Sequence, residues 1–215
     1  MTEIARQRLI DPGAGKRLDA KARDELSRAV REWRKDRPGA VLLEVEADAW
    51  HHAPELEGTP LEHDTVDAGY QSLVRNLFAL ACPVVVALDG QVSGFGLALA
   101  MTADVRAATD RTTLAVGGPA AALLGGAGWL LGHAGGGSTF AQLAWTGATL
   151  SAEEGRRRGL LAPAGDAAAL AERLAADPAG SSALKRALNT PRQAELGTAL
   201  GYQSWLAEVA TERPS

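Results

Sequence analysis

The apolar positions of this chain change their spacing several times, and each change marks an element. Glu3 to Ile10 reads as a short strand closed by the turn signal Asp11-Pro12-Gly13. Asp19 then stands as the cap of an amphipathic helix, with Leu26, Ala29, Val30 and Trp33 on one face and charges opposite. Pro38-Gly39 ends that helix, and Ala40 to Val45 is a compact apolar run of the kind that forms a buried strand. Ala47 to Pro60 is irregular and holds Trp50-His51-His52, while Thr65 to Leu80 regains helical spacing through Val66, Tyr70, Leu73 and Leu77. Pro83 to Leu88 is a β-branched strand bounded by Pro and by Asp89-Gly90. Gly94-Phe95-Gly96 follows, leading into an apolar helix over Leu97 to Thr102, then strands at Val105 to Ala108 and Thr113 to Val116. Ser151 caps a helix with an acidic first turn, which Gly159 ends. Three further helices are expected at Ala167 to Asp177, Ser181 to Asn189 and Gly201 to Thr211. Strands alternating with helices imply an α/β architecture.

One segment departs from that rhythm. Thr112 to Ala152 carries no charged residue apart from His133, and Leu114 to Gly132 is long enough to cross a bilayer. Pro119 and many glycines interrupt it, and no Lys/Arg anchors or aromatic belts flank it, so it reads as buried core with Gly-rich loops. Composition narrows the class further. The 215 residues include 43 Ala and 24 Gly, with aromatics at 5% and a net charge of −4. A mildly acidic chain without a basic block is a poor nucleic-acid binder. The lone Cys82 excludes a disulfide framework, and histidines at 51, 52, 63 and 133 lack metal-ligand spacing, so neither metal nor cofactor is assigned. The first ten residues, MTEIARQRLI, have no apolar core of a secretion signal, so a cytoplasmic location is expected.

The stretch from Pro83 to Asp104 carries the chemistry. A buried strand leads through a glycine-flanked turn into a helix whose first N–H groups lack intrahelical partners and sit at the positive end of its dipole. Such a turn can hold an anion or an oxyanion with backbone alone. A plain strand–helix turn that needs glycine for tight packing explains the same residues. Ser93 precedes the turn without an evident base, so no serine nucleophile is assigned, and Asp104 reads as a structural hydrogen-bonding residue.

Pro83 to Asp104 resembles, without a gap, the signature of the crotonase (enoyl-CoA hydratase/isomerase) superfamily. Arg17-Leu18-Asp19-Ala20 with the helix to Trp33, Gly126-Ala127-Gly128, the block from Trp145-Thr146-Gly147 to Gly159-Leu160-Leu161, and Ala183 to Asn189 are similar to family segments in the same order. The resemblance implies a crotonase-like ββα spiral core over residues 1–160 and a C-terminal helical region over 161–215 used in trimer formation. It implies an acyl-CoA or acyl-carrier-protein thioester as substrate, and a homotrimer or hexamer as assembly. It also implies an oxyanion hole of two backbone N–H groups, which fall by position at His52 and Phe95. Trp50, Ala98, Gly118, Gly126 and Trp129 fall around the substrate pocket.

Three positions where family members keep acids are Ala98, Gly118 and Gly126, none of which can transfer a proton. Water addition by the usual route then lacks an acid and a base. His51 and His52, which titrate near neutral pH, and Tyr70, which shares a helical face with His63 and Asp67, are the replacement candidates. Exposed loop histidines and an exposed polar helix face are the competing explanations. Trp129 and His133 follow the Gly-Ala-Gly segment, where core packing competes with a pocket role for Trp129. The resulting expectation is an enzyme stabilising an enolate-like thioester anion, with lyase or isomerase chemistry: decarboxylation, dehydration, isomerisation or cyclisation. The Arg- and Ala-rich composition fits a specialised bacterial pathway, such as secondary metabolism. The alternatives are a non-catalytic binding or auxiliary subunit, and a hydratase whose acids are recruited elsewhere, such as Glu55 or Glu57.

Overall fold

The computed structural model describes residues 3–9, 20–45, 51–52, 60–117 and 126–211. The chain opens with β1 (Ile4–Leu9), α1 (Ala20–Asp36), β2 (Ala40–Val45), β3 (His51–His52) and α2 (Pro60–Phe78). β4 (Val84–Leu88), β5 (Gln91–Ser93), α3 (Gly94–Thr102), β6 (Val105–Ala108) and β7 (Thr113–Ala115) follow. Then come α4 (Ala127–Gly135), α5 (Gly137–Thr146), β8 (Thr149–Ser151), α6 (Ala152–Arg157), α7 (Ala167–Ala176) and α8 (Pro178–Thr211). The order β2-β3-α2, β4-β5-α3 repeats a strand, a second strand and a helix, which is a ββα spiral. Each repeat gives one strand to each of two sheets, ordered β1-β2-β4-β6 and β3-β5-β7-β8.

The first sheet is wholly parallel, with Ile4 opposite Ala40, Val41 opposite Val84, and Val85 opposite Val105. Its central strands are covered on both faces, which is why they read as continuous apolar runs. Val41, Leu43, Val84, Val86 and Leu88 join the main core. Ala40, Leu42 and Val85 point the other way and pack with Ala171 and Ala175 of α7. The main core gathers Leu26, Val30 and Trp33 of α1 and Tyr70, Leu73 and Leu77 of α2 around α3, all of whose residues are buried.

Several expectations are met closely: β2 and β6 have the expected limits, and Ser151 caps α6 by accepting a hydrogen bond from Glu154 N at 3.2 Å. Others change. The helix expected from Thr65 begins at Pro60, a residue favoured at a first helical position because its missing N–H would have no partner there. The helix expected from Leu97 begins at Gly94, so the glycine turn is itself the first helical turn. Among its described residues the charge-free stretch holds two helices, α4 and α5, separated by Gly136 at φ +83°. The two helices expected at 181–189 and 201–211 are one 34-residue helix, α8, running through Pro191 and Gly197. Leu196 and Leu200 of its middle are buried, and that packing outweighs the weak helix propensity of the intervening residues. No helix among the described residues is long and apolar enough to cross a membrane.

α8 is fastened to the core through one buried cation. Lys185 Nζ lies 2.7 Å from Asp104 Oδ2 and donates to Cys82 O at 2.9 Å. The same Asp104 oxygen accepts from Val84 N at 2.8 Å, and Asn189 Nδ2 lies 3.5 Å from the other. Asp104 thus ties the start of β4 and the end of α3 to α8, the structural role expected of it. Burial pushes the Cys82 thiol pKa up, against the partial opposition of Lys185. Lys185→Met leaves the Asp104 carboxylate without its cation, and because Asp104 is part-exposed the loss is expected at the lower end for a broken buried pair, about 3 kcal/mol. Urea unfolding of Lys185→Met, Asp104→Asn and the double variant measures it, and additive losses would show the pair to be uncoupled.

Candidate active site

The site is built around the N-terminal end of α3. Its N-cap, Ser93, is extended (φ −148°, ψ 169°) and its side chain accepts no capping hydrogen bond from α3. No acidic residue stands in the first turn. Gly94 adopts φ +56°, a left-handed conformation that costs a side-chain-bearing residue energy, and this lets the strand turn at once into the helix. The first N–H groups of α3, Phe95 among them, therefore sit at the positive end of the helix dipole without a side-chain cap.

The Phe95 side chain points away from solvent. It is buried, and it packs against the buried Tyr70 ring with centroids 4.2 Å apart at 59°. The Arg23 guanidinium lies over the other ring, 5.2 Å from the Tyr70 centroid. Tyr70 thus stands beside the same turn of α3. Ala98, one turn further along α3 than Phe95, is fully buried and offers no proton-transferring group.

His51 and His52 are brought to this turn by sheet pairing across a long sequence separation. They form β3, which pairs parallel to β5 with His51 opposite Ser93. His52 and Gly94 are the next residues on each side, so the backbone at 52 lies next to the start of α3. Sequence spacing gave no signal for β3 or β5, which are two and three residues long. Trp50, Glu55, Glu57 and Gly118 lie outside the described residues. Of His51, His52, His63 and Asp67, only the backbone is described.

Two other pocket candidates, Trp129 and Gly126, have neighbours of their own. Trp129 stacks on His133 with centroids 5.0 Å apart and meets the Phe78 ring edge-on at 6.4 Å. Both Trp129 and His133 line a cavity of about 230 Å³ with Thr102, Ala103 and Asp104, at the C-terminal end of α3. Gly126 caps α4 at φ +78°, and a Cβ there would lie 2.8 Å from Leu200 Cδ2 of α8. The described residues contain no group of three or more His, Cys, Asp or Glu placed to hold a metal.

A ββα spiral with a buried helix whose uncapped N-terminus faces a short parallel strand defines the class of protein. The family model for enoyl-CoA hydratase/isomerase matches residues 2–209, and the chain belongs to that family. No curated protein matches it at a significant level. Among solved structures, an enoyl-CoA hydratase from Bacillus halodurans is similar at 18% identity with a TM-score of 0.81, covering 99% of this chain and 93% of that one. An enoyl-CoA hydratase from Mycobacterium smegmatis is 21% identical with a TM-score of 0.79, covering 100% and 83%. ThnE from S. clavuligerus is 20% identical with a TM-score of 0.72, covering 93% and 95%. At these identities the likeness is one of fold.

The contact at Gly126 is testable. Gly126→Ala must adopt a left-handed conformation and push Leu200 aside, with an expected cost of about 2–4 kcal/mol. Denaturant unfolding measures it, and Gly126→Ala in a Leu200→Ala background should cost measurably less. A neutral Gly126→Ala would remove α8 packing as the reason for this glycine.

Proposed function

We propose that this protein binds an acyl thioester at the N-terminal end of α3 and stabilises an enolate-like anion on it with two backbone donors, His52 and Phe95. The observation that carries the reading is the pairing of His51 with Ser93, which sets residue 52 beside the uncapped first turn of α3. Negative charge building on the thioester oxygen is favoured there by fixed N–H groups and by the helix dipole, neither of which must reorganise during reaction.

The chemistry follows from what this turn lacks. Ala98 places a methyl group where hydratases of the family keep a glutamate, so addition of water has no base in that position. Decarboxylation needs none, since loss of CO₂ leaves the electron pair on the carbon next to the carbonyl and the oxyanion hole receives the charge. Isomerisation, dehydration and cyclisation each need one proton moved, and His51 and His52 are the residues assigned to move it. Tyr70, packed on Phe95, is the third proton-transfer candidate. The carrier is coenzyme A or an acyl carrier protein. Leu184, Leu188, Tyr202 and Trp205 are exposed along α8, which supports a homotrimer built on the C-terminal helices.

A second reading, a thioester-binding subunit without catalysis, is favoured by the same buried Ala98. Titration calorimetry with a non-reactive acyl-CoA analogue and product analysis over a panel of acyl thioesters separate the two. Turnover is expected, with the acting histidine losing about 10²–10⁴-fold in rate on substitution by alanine, while analogue affinity stays within a few-fold because the donors are backbone. Unchanged rates in both His51→Ala and His52→Ala would remove the acid–base assignment. Binding without product would establish the second reading, and absence of binding would overturn both.

A further inference from the structure

The C-terminal end of α3 holds a surplus of positive charge that the thioester site does not use. Arg106 of β6 donates from Nε to Leu160 O at 2.5 Å and from Nη1 to Ala103 O at 2.6 Å, which leaves Nη2 without a hydrogen bond among the described residues. Arg192 of α8 lines the same cavity of about 230 Å³ and makes no ion pair among the described residues. Asp104 also lines it, but its charge is matched by Lys185 at 2.7 Å. The two guanidiniums therefore share a part-enclosed space with no carboxylate of their own. Burial holds the Arg106 pKa below the ordinary arginine range; Asp104 opposes this and the nearby Arg192 adds to it. Like charges so placed repel, and water in a small cavity screens them less than bulk solvent does.

We propose that this cavity binds a small doubly charged oxyanion of the phosphate class, held between Arg106 Nη2 and the Arg192 guanidinium. Two unmatched cations call for a dianion, and the planar fork of Arg192 fits a tetrahedral oxyanion through paired hydrogen bonds while Arg106 donates from Nη2 alone. The volume lies below the usual range for drug-sized ligands, roughly 300–1,000 Å³, and has room for a phosphate-sized group with water around it. Asn189 stands at the wall as a neutral amide, beside His133 stacked on Trp129. The bound anion would join β6 to α8, supplementing the Lys185–Asp104 pair. The site is independent of the proposed thioester reading, because it lies at the other end of α3, about 12 Å away by helix rise.

Titration with inorganic phosphate at fixed ionic strength, by calorimetry and by thermal unfolding, tests the proposal. One binding site is expected, with a Tm that rises with the logarithm of phosphate concentration. Arg192→Ala should weaken phosphate binding by about tenfold or more, and Arg192→Lys should restore part of it. Arg192→Gln takes the place of the alanine variant if the latter fails to fold. Acetate and chloride at the same ionic strength should reproduce neither effect. Equal shifts with chloride, or unchanged phosphate affinity in the Arg192 variants, would overturn it.

Discussion

The burial of α3 is the constraint on which the rest of this structure depends. Every residue of the helix is buried, from Gly94 to Thr102. A helix with no polar face has to be wrapped on all sides, and the main core shows how: Leu26 and Val30 of α1, Leu73 and Leu77 of α2, Leu130 and Leu131 of α4 and Leu200 of α8 all join it. The backbone groups at the ends of a buried helix still need partners. At the C-terminal end they have them, since Arg106 bonds Ala103 O and Asp104 N donates to Val84 O at 2.9 Å. At the N-terminal end no side chain caps the helix, and that asymmetry is what makes one end a candidate for chemistry.

The many small residues take on a specific meaning against this core. A Cβ at Gly126, Gly135 or Gly155 would lie 2.8, 2.7 or 2.8 Å from side-chain atoms of Leu200, Leu160 and Leu161 respectively. Each glycine admits a leucine from another segment.

Much of the fold was legible in the sequence. The strands at 40–45 and 105–108, the Ser151 cap and the apolar face of α1 follow from local periodicity and capping chemistry, because each is decided by residues within one element. Other elements depend on contacts between segments. α4 has little amphipathic contrast, since its glycines and alanines fall on both faces, and α5 buries only Thr139 and Leu143. The unbroken run of α8 depends on Leu196 and Leu200 meeting the core, a contact no local pattern can report.

The candidate site divides in the same way. The sequence by itself determined the strand–turn–helix at Pro83 to Thr102 and the family resemblance it carries. Local spacing fixes those, since glycine at a turn and an apolar run in a helix act within a few residues. Only the tertiary structure decided that His51 pairs with Ser93, that the Phe95 ring packs on Tyr70, and that Arg106 and Arg192 share one cavity. Those meetings join residues 25 to 86 positions apart, and they follow from how the two sheets and α8 close around a helix that cannot face water.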